Sequence, residues 1–490
     1  MDINKERQQS LPAGNDGSGG NVSYPLPSQG QPQGPAQPMF GPTQQLDKGF
    51  GDAGAVPQGG PPAYPAQSAP VPAAPDPANS TVVYPNGTVV CPNGTVVYSN
   101  TPPPEEQKKK DGFFRNHKQL TALLIVFLTC LVINIIARCS PGFCNWHQSQ
   151  VYPLFLKTAG KLISKIPYSF GELFIAILVL YIPTSLIDLV IMFISSTRRP
   201  RVIKTFAFSY AWLAAFFCVT WTLNCSVLYH TSPLAERCDI EVSEHTEEEL
   251  FDLGKRLAAQ ANYYSGLAAR EENGDFVLKA DPDYTAMAAV ESLGGEFRDL
   301  DGETPKPKSI FSSTMMSQMR LRGIYFPFTL EPNYNNKMYA TMLPCAVCHE
   351  IAHSKGYMKE DEAAFIAFAA CERSSSNDYR YSGYLTALRI FRDRLFESCD
   401  EKTKTEFNSL INGAVARDLA AEDQYWEDVA NEELLFSSEL LAGKTDDFVN
   451  GSLRFNGQEK GRKSMEDMTQ LMLDYYGSRN FTDERTGKEL

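Results

Sequence analysis

Three long apolar runs, Leu120 to Ala137, Leu173 to Ile194 and Phe206 to Leu228, constrain this chain more than any other feature. Each approaches the roughly 20 residues that an α-helix needs to cross hydrocarbon. The first is interrupted only by Asn134, the third carries no charge, and the second contains Pro183 and Asp188. Asp188 lies near the Thr197-Arg198-Arg199 end, where its carboxylate can reach the interface. Three transmembrane helices in a lipid bilayer are therefore expected. Lys108, Lys109, Lys110, Arg115 and Lys118 precede the first run, and Arg198, Arg199, Arg201 and Lys204 separate the second from the third. Basic residues mark the cytoplasmic side, so both clusters are expected there. The loop from Arg138 to Gly171 carries Lys157, Lys161 and Lys165 between Tyr152, Leu154, Phe155, Ala159, Leu162 and Ile163. That pattern suits a helix lying on the membrane surface. An odd number of spans after a cytoplasmic amino terminus puts everything beyond Leu228 outside the cytoplasm.

Around the spans the composition changes sharply. Residues 1–118 are rich in Gly, Pro, Gln, Ser and Asn and poor in large apolar side chains. Such a leader cannot bury enough surface to offset its ordering entropy and is expected to be disordered, free to tether a cytoplasmic partner. No apolar core follows its amino terminus, so it does not read as a signal peptide. Inside it, Thr81 to Tyr98 repeats TVVYPNG, a small hairpin or a sticky low-complexity patch. Residues 119–230 form the membrane domain, 231–478 a globular domain and 479–490 a flexible tail. Helical spacing recurs at Glu247 to Tyr264, Pro344 to Lys355, Glu360 to Glu372, Ser382 to Phe396 and from Lys404 towards Ala430. Ile324 to Leu330 (IYFPFTL) reads as a strand, and Pro327 within it favours a sheet edge. A formal net charge of -13 with no basic face argues against nucleic-acid binding.

Chemistry concentrates in His349-Glu350-Ile351-Ala352-His353. Two His four residues apart share one helical face and can present nitrogens to a single Zn2+ ion, with Glu350 beside the ion's water. The ion acidifies that water and the carboxylate takes its proton, which suits hydrolysis of a peptide or protein substrate. Gly356 is placed to cap the helix. No His lies downstream of His353, so the third ligand is expected to be a carboxylate: Glu360, Asp361, Glu362 or Glu372. Glu362 is favoured, because it shares a face with Phe365, Ile366 and Ala369. Glu360, Asp361 and Glu362 also form an acidic first turn of the kind a helix dipole stabilises.

PFTLEPNYN (Pro327 to Asn335), HEIAHSKGYMKEDEAAFIAF (His349 to Phe368) and RYSGY (Arg380 to Tyr384) resemble signature blocks of the bacterial DUF3810 family of membrane-bound zinc metallopeptidases. The stretch VYPLFLKTAGKLISKIPYSFGELFIAILVL and the third run ending WTLN resemble the family's amino-terminal part, so the likeness covers about residues 119–475. It implies a gluzincin-like site in a multi-pass protein of a bacterial cell membrane, with His349, His353 and Glu362 as zinc ligands and Glu350 as the catalytic carboxylate. The expected fold is mainly α: three transmembrane helices, then a mostly helical zincin-like α+β domain with a small sheet.

The chain departs from the family at Cys345 and Cys348, where apolar or small hydroxyl residues are usual. Outside the cytoplasm these, with Cys238, Cys371 and Cys399, are expected as structural disulfides or buried thiols; a redox or second-metal pair is the alternative. A transition-state donor is sought among Tyr379, Arg380, Tyr381 and Tyr384, with Tyr381 assigned; each Tyr could equally pack in the core. The competing functional reading is a non-catalytic zinc-binding membrane sensor or scaffold. Three protein ligands and a spare Glu fit an open catalytic site better.

Overall fold

The structure, a computed structural model, describes residues 82–83, 88–98, 117–194, 199–432, 437–477, 482–483 and 488–489. Most of the expected disordered leader and flexible tail therefore lies outside the described residues. Residues 1–105 form one unit, in which the repeat folds as an antiparallel meander of β1 (Val82–Val83), β2 (Thr88–Val90) and β3 (Val96–Tyr98). Val90 stands opposite both Val82 and Val96. The second Pro-Asn-Gly signal builds its turn as its chemistry demands: Gly94 takes φ 76° and the Thr95 N–H donates to Asn93 Oδ1.

In the second unit, residues 106–490, the three apolar runs are helices α1 (Lys118–Cys139), α2 (Phe170–Ile194) and α3 (Ile203–Tyr229), each long and apolar enough to cross a membrane. Their outward surfaces carry exposed Ile125, Leu131, Leu180 and Val190, which associates them with a lipid bilayer. Asn134 near the end of α1 donates to Thr222 and accepts from Ser226 near the end of α3. Those two helices therefore run parallel, and Lys118 and Lys204 near their beginnings share the opposite end.

Between α1 and α2 runs a connecting helix, residues 141–164, with π-helical turns at His147–Val151 and Leu156–Gly160. Cys144, His147, Gln148, Tyr152, Leu156 and Gly160 form its buried stripe, while Trp146, Leu154 and Leu162 are exposed. The predicted apolar face is thus divided, because each π turn inserts a residue into the helical period. The buried half packs under the globular domain: the Tyr152 hydroxyl donates to Ser354 O (2.8 Å) and meets the Tyr325 hydroxyl at 2.8 Å.

His147 in this helix is buried with neither ring nitrogen hydrogen-bonded, and burial lowers its pKa from 6.5 to about 4. Between those values the unfolded chain binds the extra proton, so stability falls as pH drops through this window. The loss approaches roughly 3 kcal/mol at the acid end. His147→Phe is expected to remove this acid sensitivity, with melting temperatures of the two proteins diverging between pH 6.5 and 4.

The globular domain is mostly helical. Its longer helices are α4 (Glu247–Ser265), α5 (Pro282–Glu291), α6 (Leu343–Ser354), α7 (Glu360–Arg373), α8 (Asn377–Ser398), α9 (Glu401–Ser409), α10 (Gly413–Asn431), α11 (Ser438–Phe455) and α12 (Met468–Gly477). A capping box starts α4, where Thr246 and Glu249 satisfy each other's amides. The single helix expected from Lys404 is two, because Asn412 caps α10 by accepting from the Ala414 and Val415 N–H groups. Val347, Ile351, Phe365, Phe368, Ala369 and Leu388 make the core in which α6, α7 and α8 meet.

The small sheet has the order β4-β6-β5: β4 (Lys308–Ser309), β5 (Gly323–Phe326) and β6 (Glu331–Tyr334). The strand expected over Ile324 to Leu330 ends at Phe326. Pro327 cannot donate to a ladder, and Leu330 at φ 60° turns the chain back into β6. β5 is an edge strand, as Pro327 suggested. The Glu331 carboxylate pairs with Lys308 (3.2 Å) and caps α2 by accepting the Phe170 and Gly171 N–H groups at 2.9 and 2.7 Å. Gly171 has to be glycine, since a Cβ there would lie 2.7 Å from the Phe326 ring. Sheet and spans are thereby joined directly.

Candidate metal centre

Helix α6 starts with Pro344 in its first turn, where no amide is needed. It ends in a Schellman-type cap: Gly356 takes φ 98° and the Tyr357 N–H donates to Ala352 O at 3.1 Å. The cap reverses the chain within five residues, so the first residue of α7 returns beside the last turns of α6.

That residue is Glu360. Its carboxylate oxygens stand 3.4 Å from His349 Nε2 and 3.8 Å from His353 Nε2. Among the described residues His349, His353 and Glu360 are the group able to hold a metal ion, their ligand atoms all within 4.8 Å of one another. Ligand atoms around a tetrahedral zinc lie roughly 3.4 Å apart, so small side-chain adjustments bring this set to zinc geometry. His353 Nδ1 contacts Tyr357 O at 2.8 Å. As a donor there, it leaves Nε2 with the lone pair facing the site. Burial, with the charge of His349, holds His353 down at about 4, in the neutral form a ligand requires. Burial would raise Glu360, but the His349 hydrogen bond and the charges of both His and of Arg462 lower it to about 2.

Glu350 is 6 % exposed and its Oε2 has no hydrogen-bond partner. Burial raises its carboxyl to about 8, against the lowering effects of His349 and the Tyr325 backbone N–H. Such an orphaned, buried carboxylate beside two imidazoles fits a site that takes a metal and its water. β5 passes directly over it. A Cβ at Gly323 would collide with the Glu350 side chain, so glycine is what permits the approach. Pro332 opposite Tyr325 makes that pair non-hydrogen-bonded, so the Tyr325 N–H points out of the sheet towards Glu350.

Two sequence expectations are corrected. Glu362 is buried, but its oxygens serve Arg237 Nη2 (3.0 Å), Lys359 Nζ (3.0 Å) and the Leu234 N–H (2.9 Å). It anchors the segment after α3 and does not join the two His. Tyr381 lies in the core, where its hydroxyl donates to Asp418 and its ring faces Arg270. Its neighbours are committed too: Tyr379 to Pro282 O, Tyr384 to Glu372 and Arg380 to Ser374 O. All described Cys are free; Cys348 and Cys371 touch across the α6–α7 packing at 3.9 Å as buried thiols.

What the sequence reading missed is a cationic wall. A cavity of about 410 Å³ is lined by Arg320, Arg322, Trp426, Glu427, Ala430 and Arg462. Arg462 acts on Glu360 and Arg322 on Cys345, one helical turn before His349. Arg320 takes φ 52°, a strained backbone for a side chain of that size. The only advance signal was the spacing of Arg320 and Arg322 directly before β5.

The family described as "Protein of unknown function (DUF3810)" matches residues 147–473, about two thirds of the chain and the whole of this site. No curated protein and no solved structure matches.

Proposed function

We propose, from the premise that the chain belongs to the DUF3810 family, that it is a membrane-anchored zinc-dependent peptidase. The observation that carries this reading is the convergence of His349 Nε2, His353 Nε2 and the Glu360 carboxylate beside the unsatisfied Glu350 Oε2, against a free strand edge. His349, His353 and Glu360 would hold zinc, and Glu350 is the general base. When bound, the ion supplies Lewis acidity to a water and to the scissile carbonyl.

The protein's own groups do the rest. Glu350 takes the proton of the attacking water and returns it to the leaving amine. Its raised pKa in the metal-free site marks how strongly the pocket disfavours an uncompensated negative charge. The outward N–H and C=O groups of Gly323 and the C=O of Tyr325, whose N–H is held by Glu350, align an extended substrate by strand addition. The charge of Arg462, which also pairs with Asp446 at 2.9 Å, reaches Glu360 and helps keep that carboxylate ionised beside the two His. The fold around this centre supports a zincin-like arrangement of motif helix, ligand helix and edge strand. The position of the domain opposite the basic ends of α1 and α3 favours an extracytoplasmic site in a bacterial membrane.

The test is cleavage of an unfolded protein such as casein by the purified full chain. Activity should vanish with a chelator and return with stoichiometric zinc. A protein that cleaves nothing, or cleaves equally after chelation, would show that the reading is wrong.

A further inference from the structure

We infer that the substrate is a polypeptide anchored in the same bilayer, cut within a few residues of the point where it leaves the membrane. This rests on the peptidase reading and adds the substrate class.

The argument is one of depth. β5, whose Tyr325 N–H faces Glu350, continues into the turn that begins at Pro327. That turn is plugged into the spans. Asn224 of α3 donates to Pro327 O at 2.8 Å, and the Tyr325 hydroxyl donates back to Asn224 O at 3.3 Å. The Phe328 ring meets Phe217 edge-on at 4.7 Å and lies 6.4 Å from Trp221. At 1.5 Å rise per residue, Phe217 stands about 18 Å below Tyr229, where α3 ends. Phe217 is level with the first turn of α2, since its ring is 5.9 Å from Phe174. Phe328 therefore contacts side chains of the apolar span α3, at the level where α2 begins. Three residues separate it from Tyr325, a path of at most about 10 Å. Glu350, next to Tyr325, sits at a comparable height above the apolar layer.

A second observation agrees. Phe311 is 97 % exposed, and its N–H is held by Glu172 in the first turn of α2. Phe455 is 68 % exposed and lies under the Arg138 guanidinium at the end of α1, 5.0 Å from its ring centre. Exposed Phe side chains beside the tops of two spans are apolar groups of the kind that insert at the headgroup–acyl boundary. They place the face of the domain flanking the site against lipid headgroups. An extended chain covers about 10 to 15 Å in three to five residues. A bond that reaches Glu350 along β5 thus lies that far from an anchor embedded beside α2 and α3.

The experiment uses the full zinc-loaded chain in phosphatidylethanolamine and phosphatidylglycerol vesicles. The probe is one unstructured segment of about 40 randomised residues, fused to a single transmembrane helix or supplied free, with Glu350→Gln as the blank. Tethering raises the effective concentration of the whole segment, so the deciding readout is where the cuts fall. Mass spectrometry should place them within about ten residues of the anchor, with tethered segment cleaved at least about tenfold faster than free. Cuts spread evenly along the tethered segment, or equal rates for both forms, would overturn the substrate class while leaving the peptidase intact. Failure to cut either form would overturn both.

Discussion

Glu350→Gln is expected to lower peptide hydrolysis by about 10²- to 10⁴-fold, the range contributed by a positioned general base, while zinc affinity changes by no more than a few fold. Gln is nearly isosteric and accepts the Tyr325 amide as Glu350 does, so the pocket keeps its shape. It cannot take a proton from water. The expected split is a fall in kcat with KM retained, because strand addition along β5 does not involve the carboxylate. Without metal, burial of Glu350 favours its protonated form at neutral pH. The variant should therefore be at least as stable as wild type when both are stripped of metal. Equal turnover by the two proteins in a zinc-dependent assay would remove Glu350 from the chemistry.

The second large effect separates two carboxylates two residues apart in sequence yet far apart in role. Glu360→Gln is expected to weaken zinc binding by more than about 100-fold, beyond the 10- to 100-fold typical of outer-shell partners. Folding should be little affected, since among the described residues the Glu360 carboxylate pairs with the two His of its own site. Glu362→Gln should behave in the opposite way. Zinc affinity should hold, and stability should fall by about 3 kcal/mol, because Arg237, with its side chain 6 % exposed, loses the more deeply buried of its two carboxylate partners. The loss is at the low end for a broken buried pair because Arg237 keeps Asp299 at 2.8 Å. Competitive chelator titration and thermal melting of both variants check the two arms. Loss of zinc from Glu362→Gln with retention in Glu360→Gln would reverse the assignment.

That contrast also shows how far sequence carries. The motif helix, its Gly356 cap, the three spans and the edge character of β5 follow from local period and turn chemistry, so they were legible. Among Glu360, Asp361, Glu362 and Glu372 the sequence favoured Glu362, whereas the carboxylate that stands beside the two His is Glu360. The choice could not be finished, because the decision depends on Arg237, 125 residues away in the chain. A buried, face-sharing carboxylate looks like a ligand until a guanidinium is found opposite it. The Tyr379–Tyr384 group failed for a similar reason: Tyr381 points at Asp418 on α10, a helix whose start at Asn412 was merged into a longer one. IYFPFTL read as a continuous strand because β-branched and aromatic residues dominate it. The turn inside it packs the half-buried Phe328 against α3, an apolar environment supplied by the membrane helices and absent from the strand pattern. The membrane anchoring of the site was thus hidden in residues that looked like ordinary core.

The most direct test of the central claim is the zinc X-ray absorption spectrum of the purified full chain. Two imidazoles and a carboxylate predict a first shell of nitrogen and oxygen scatterers alone, near 2.0 to 2.2 Å, with the imidazole outer-shell pattern diminished in His353→Ala. A sulfur scatterer near 2.3 Å would instead assign the ion to the Cys345, Cys348 and Cys371 thiols, and a chain that retains no zinc would contradict the metal centre altogether.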